Sequence, residues 1–193
     1  MVNVTGIYAS ISPEIGQKWG LNHISLMKKK LTTKIGDVFS VPISETEKRY
    51  MQLIAFDDLQ LNSDVIRCFA KIYNLNDTPE IVDIISDDVL FAAHCATDFG
   101  LKLKLWSKVD NIDNIGNLDG LLFKSTDDYA RRAGEAPVLI SENWHVWSLF
   151  DKKVRKVGRL HGINQNAFNG LIFNPYGILE LAKGNEYPMN YPK

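Results

Sequence analysis

The clearest alternation of apolar and polar positions lies in residues 34–56. Residues 34–43 read KIGDVFSVPI, which places Phe39, Val41 and Ile43 on one side of a period of two and Val38, Ser40 and Pro42 on the other. Gly36-Asp37 supplies turn chemistry just before this run, and residues 50–56 (YMQLIAF) return as a strand that is apolar on both faces. The polar connection at residues 44–49 has the length of a surface hairpin loop. Pro42 has no N–H to give to a ladder, so the first strand belongs at an edge or ends there, and the second is central.

The same reading extends along the chain. Residues 63–73 (SDVIRCFAKIY) alternate Val65, Arg67, Phe69, Lys71 and Tyr73 against Ile66, Cys68, Ala70 and Ile72, which predicts one strand. Thr78-Pro79-Glu80 offers a cap, a proline and an acid ahead of Ile81, Val82, Ile84 and Ile85, predicting a helix of about two turns. Residues 89–97 (VLFAAHCAT) and 99–106 (FGLKLKLW) predict a strand pair, with Leu101, Leu103 and Leu105 inward and Lys102 and Lys104 outward. Three further strands are expected at residues 144–149, 154–160 and 168–173. Asn174-Pro175 then opens a helix with an Ile178, Leu179 and Ala182 stripe that Gly184 stops. Near the start, residues 4–10 suit a short strand, and Ser12-Pro13-Glu14 begins a helix that Gly16 and Gly20 weaken; residues 24–31 form its second part, ending in Lys28, Lys29 and Lys30. Residues 124–137, with Arg131-Arg132-Ala133-Gly134, read as a mobile surface loop, and two prolines extend the tail.

Composition bounds what this pattern builds. With 193 residues, 45% hydrophobic and 23% charged, the chain suits one soluble globular domain, residues 1–30 forming an N-terminal extension to it. A net charge of -1 and a pI near 6.4 argue against nucleic-acid binding through bulk positive charge. Residues 1–11 lack the basic, apolar and small-residue succession of a signal peptide, and no apolar run reaches the ~20 residues that span a bilayer, so the expected location is cytoplasmic without membrane contact. Cys68 and Cys95 sit in separate apolar segments and read as buried free thiols.

Candidate chemistry is sparse. The stretch DNIDNIGNLDG at residues 110–120 resembles a calcium loop only in its acids, since the positions that require glycine and glutamate hold Ile115 and Leu121. His23, His94, His145 and His161 lie in no zinc-ligand spacing. His94 and Cys95 are adjacent, so on a strand their side chains point to opposite faces, the wrong geometry for a thiolate and its base. No nucleophile elbow, phosphate-cradling glycine loop or catalytic carboxylate pair is present, and neither a cofactor, a metal nor a catalytic residue is assigned. Trp106, Trp144 and Trp147 suit either a core or a stacking platform for sugars or bases. An enzyme with a cleft beside Trp106 and Trp144, or a carbohydrate- or nucleic-acid-binding β-domain, therefore stays open. Charge is segregated: residues 57–98 carry nine acids against two bases, a net of -7, which leaves +6 elsewhere. Such a stripe can steer one basic partner, and its candidate binding residues are Asp57, Asp58, Asp83, Asp87 and Asp88.

The order of segments resembles a known family. KIGDVFSVPI at residues 34–43, the strand ending in Ala55-Phe56, residues 64–69 leading to a short aliphatic helix, Trp106 followed by Ile115-Gly116-Asn117, and the closing run WHVW, VGRL and NGLIFNPYGILELAKGNEYPMNYP are similar to the twenty-sixth class of immunity proteins of bacterial polymorphic toxin systems. The likeness covers most of residues 34–192; residues 110–114 stand as an insertion, and residues 1–30 have no counterpart. The resemblance implies a mostly β, non-enzymatic, cytoplasmic protein that binds and neutralises a toxin domain encoded by the neighbouring gene. With the pattern above, the expected fold is α+β, mostly antiparallel β, a strongly bent sheet or partly open barrel with two or three short peripheral helices.

Overall fold

A computed structural model describes residues 32–129, 134–186 and 192. These residues belong to one compact unit, Leu31–Lys193. The strand and helix expected within residues 1–31, and Arg131-Arg132-Ala133 of the expected loop, lie outside the described residues.

The hairpin at the centre of the sequence pattern is also central in the fold. Strand β1 (Asp37–Pro42) pairs antiparallel with β2 (Glu47–Asp57), Phe39 opposite Met51 and Val41 opposite Arg49, and β1 ends at Pro42. Gly36 makes the entry turn at φ +92°, a conformation L side chains resist, with the Ile112 carbonyl close against it. Strand β2 lies inside the larger sheet. Its other neighbour is β3 (Ser63–Phe69), followed outward by β5 (Val89–Cys95) and β11 (Ile172–Phe173), while β6 (Ser107–Asn111) flanks β1 and β4 (Tyr73–Asn74) pairs with the start of β2. A second sheet has the order β10 (Phe168–Asn169), β7 (Leu122–Ser125), β8 (Trp144–Ser148) and β9 (Arg155–Gly158). Pairing is antiparallel except for β11 with β5 and β10 with β7.

The larger sheet is covered on both faces, which is why its strands read as nearly continuous apolar runs. One face presents Phe39, Met51, Leu53, Ile66, Cys68, Phe91 and Cys95 to Trp106 and to Ile178 and Ala182 of helix α3 (Pro175–Ala182). The other face divides. Ile54, Ala55, Val65 and Ala92 pack under Phe123 and Trp147 of the second sheet, whereas Val38, Tyr50, Phe69 and Tyr73 pack under Ile84 of helix α1 (Ile81–Ile85). Each Val, Leu, Ile, Phe or Met among them, once fully buried, contributes roughly 1.5–3 kcal/mol. Cys68 and Cys95 are buried free thiols.

Among the described residues the architecture is α+β with mostly antiparallel strands and three short α-helices, and no barrel forms: β6 and β11 end one sheet, and β9 and β10 end the other. Residues 99–106 also depart from expectation. In place of a strand, helix α2 (Thr97–Lys102) is followed by a left-handed turn at Lys104, φ +59°. Leu101 and Leu105, four residues apart, both pack on the core, so a period-two Leu/Lys run satisfied a short helix and its turn equally well. The cap is remote. Asp64 of β3 accepts the Thr97 N–H at 3.1 Å and the Thr97 hydroxyl, so no local residue announces the helix start. Gly100 lets the Trp106 ring lie directly against the helix backbone, where a Cβ would collide with it.

Two expected strands are each divided. Residues 63–73 split because the Arg49 guanidinium takes the Phe69 and Ala70 carbonyls and Asp87 takes the Lys71 N–H at 2.6 Å, turning the chain toward β4. Residues 168–173 split between the sheets at Gly170, whose N–H reaches the Lys124 carbonyl at 2.7 Å and whose missing Cβ makes room for Trp147. The expected loop at residues 124–137 begins within β7, and the Ser141 hydroxyl donates to Asp128 at 2.6 Å, anchoring the turn at Asp127–Tyr129.

Candidate functional site

The five candidate aspartates do not form one face. Asp57 closes β2 opposite Ser63, while Asp87 and Asp88 precede Val89, which pairs with Phe69 at the far end of β3. The seven residues of β3 join those ends, six steps or about 20 Å at 3.3 Å per residue. Asp58 sits with Asp57, and Asp83 sits with Asp87 on the α1 side.

At the α1 end Asp83 and Asp88 face outward. Helix α1 is short and has no side-chain cap, so it is held by Ile84, which packs with Phe69, Tyr73 and Tyr50. Its outer side carries Val82, 65% exposed, and Asp83, an acid well placed in a first helical turn. Beside it, Ile72, Val89 and Leu90 are exposed. Asp88 is exposed and gives its backbone carbonyl to the Ala70 N–H at 2.8 Å; half-buried Asp87 holds Lys71 as described. The cations at this end are turned inward or stacked. Arg49 is buried on backbone carbonyls, Lys48 donates to the Asp77 carbonyl at 2.5 Å, and the Lys71 ammonium lies 4.9 Å from the centre of the Tyr73 ring. This end of the sheet therefore carries both exposed aliphatic side chains and exposed acids.

At the opposite end an acid is consumed by the fold. Asp57 has no exposed surface: one carboxylate oxygen accepts the Leu59 and Gln60 N–H groups at 3.1 and 3.0 Å, and the other lies 3.0 Å from His94 Nε2. Asp57 is therefore corrected from a docking residue to a structural one. His94 lies fully buried on β5, its ring 4.3 Å from the ring of Phe123, and burial pushes its pKa below the ordinary imidazole value although Asp57 pulls the other way. With Nε2 donating to the carboxylate, Nδ1 is an acceptor that meets no partner among the described residues. Ser63 projects from the same face, and its buried hydroxyl likewise has no partner. The imidazole–carboxylate pair has the spacing of a general-base dyad, yet both groups are sealed from solvent, so in this structure the pair orients the β2–β3 turn rather than reaching a substrate. Sequence reading missed it because Asp57 and His94 are 37 positions apart and meet only across β3. The one available signal was a histidine inside the apolar run VLFAAHC.

The other candidate chemistry separates too. Trp106 belongs to the helix-covered side of the larger sheet and Trp144 to the second sheet, so they flank no common cleft. Trp106, Trp144 and Trp147 are 3%, 1% and 3% exposed and offer no stacking platform. Burial pushes the Cys68 thiol up to about 12 and the Cys95 thiol higher still, so neither is a ready nucleophile. Among the described residues no three His, Cys, Asp or Glu side chains converge as a metal site would require, and no helix is long and apolar enough to cross a membrane.

No protein-family model, curated protein or solved structure gives a significant match to the chain.

Proposed function

We propose that this is an immunity protein, which binds the toxin domain encoded by the neighbouring gene and neutralises it by contact. One observation carries the reading: the α1 end of the larger sheet has Ile72, Val82, Val89 and Leu90 exposed, together with the acids Asp83, Asp87 and Asp88. Exposed apolar side chains together with charged ones are the composition of a protein interface, and the acidic sign suits a basic partner such as an enzyme that acts on nucleic acid or another polyanion. The resemblance of the segment order to the twenty-sixth immunity class supports the same reading. Asp58, exposed at the other end, stands outside this face.

The test is co-expression with the product of the adjacent open reading frame. Protection of cells, together with a complex that survives size-exclusion chromatography, is expected. A neighbouring product that is harmless alone, or toxic but neither bound nor neutralised, would overturn the proposal.

A further inference from the structure

On the opposite side of the larger sheet from α1, an open groove of about 400 Å³ is lined by Pro42, Leu101, Lys104, Trp106, Ser107 and Lys108. That volume lies within the range of small-molecule sites, roughly 300–1,000 Å³. Its apolar wall is fixed: the Trp106 indole N–H donates to the Thr97 carbonyl at 3.0 Å, and the ring is seated on Gly100.

The charges at the rim are unequal. Lys108 is already neutralised by the buried carboxylate of Asp37 at 2.5 Å. The Lys104 ammonium and the Ser107 hydroxyl make no hydrogen bond or ion pair among the described residues, and both residues are exposed.

Lys104 also occupies an unfavourable position for its type. The Leu105 N–H reaches the Gly100 carbonyl at 3.0 Å and the Lys104 N–H reaches that of Leu101 at 3.1 Å, the paired bonds that close a helix through a left-handed residue. Glycine takes that position at no steric cost, whereas lysine is held there at φ +59°. Strain of this kind, retained where a smaller residue would relieve it, points to a use for the side chain.

We propose that the groove is a binding site for a small apolar carboxylate, its hydrocarbon part seated on Pro42 and Leu101 and its carboxylate held by Lys104 Nζ and Ser107 Oγ. The site is independent of the toxin-binding reading. Decanoate, decanol and decyltrimethylammonium share a chain and differ in head-group charge, so calorimetric titration of the intact protein with each isolates the role of Lys104. Decanoate is expected to bind about tenfold more tightly than either analogue, the ratio one charge-assisted contact supplies. Lys104→Gly should abolish that preference while leaving Tm unchanged or higher, which separates lost recognition from lost folding. Lys104→Glu should transfer the preference to the cation. No decanoate binding, equal binding of the three probes, or a preference that survives Lys104→Gly would each overturn the proposal.

Discussion

The two ends of β3 treat acidic residues in opposite ways. At the start of the strand, Asp57 and Asp64 are drawn into the fold, one holding His94 and the β2–β3 turn, the other capping α2. At its far end Asp83 and Asp88 stand in solvent beside exposed aliphatic side chains, while the cations Lys48 and Arg49 are the groups turned inward. A count of charges along the chain treats these ends alike. What separates Asp57 and Asp64 from Asp83 and Asp88 is whether a backbone N–H or an imidazole lies within reach, and only the three-dimensional pairing decides that.

The largest expected effect breaks the buried end. Asp57→Ala would leave His94 Nε2 and the Leu59 and Gln60 N–H groups without their acceptor inside the protein, at a cost of about 1–3 kcal/mol for each donor left buried and unsatisfied. Urea unfolding would register it as a lower midpoint. A midpoint close to that of the parent protein would show that the pair contributes nothing to the fold.

Next in size is the packing that seats α1. Ile84→Ala removes a fully covered side chain from the cluster of Val38, Tyr50, Phe69 and Tyr73 and should cost about 2–5 kcal/mol. Faster amide exchange localised to residues 81–89 would show that this end loosens by itself; exchange raised equally across β2 and β3 would mean that the two ends unfold as one.

A smaller, pH-dependent effect belongs to His94 alone. Its folded-state pKa lies below the ordinary value of 6.5, because burial disfavours the imidazolium more than Asp57 favours it. The unfolded chain therefore takes up the proton first. This contribution to stability is full above pH ~6.5 and is lost as pH falls from there toward the folded-state pKa. His94→Gln should flatten the stability profile in that window, and substitutions at Asp83 or Asp88 should not. An unchanged slope in the glutamine variant would assign the titration to other groups.

How much of this was legible follows the range of the interactions. The β1–β2 hairpin, Pro42 at its end and the Asn174-Pro175 helix start were readable because turn chemistry, alternation and capping are local; Asn174 does accept the Gly177 N–H at 2.8 Å. Helix α2 was not readable, since its cap comes from Asp64, 33 positions away, and its Leu/Lys spacing also fits a strand. The split at residues 168–173 depends on Gly170 meeting Trp147 from another strand. Of the candidate site, the residue types at the α1 end were visible as an acidic excess. The exposed aliphatic residues of that end were hidden, because Ile72, Val82 and Val89 look like core residues until α1 is seen to bury only Ile84.

The smallest effect on stability, and the one most informative about function, is expected at the exposed acids. Asp88 makes no side-chain hydrogen bond among the described residues and Asp87 accepts one N–H, so exchanging both for lysine should alter stability far less than Asp57→Ala does. The same pair of changes replaces negative charge with positive at this end. If a basic toxin domain docks there, its association rate should fall in the double variant, and the parent rate should itself decline with added salt as the Debye length shortens from about 10 Å at 0.1 M to about 3 Å at 1 M. Val82→Asp addresses the exposed aliphatic side chains instead, where loss of contact should act mainly through faster dissociation. Stopped-flow binding across a salt series distinguishes the two. Unchanged association and dissociation in both variants, with the toxin still neutralised, would remove the α1 end as the interface while leaving the contrast between buried and exposed acids intact.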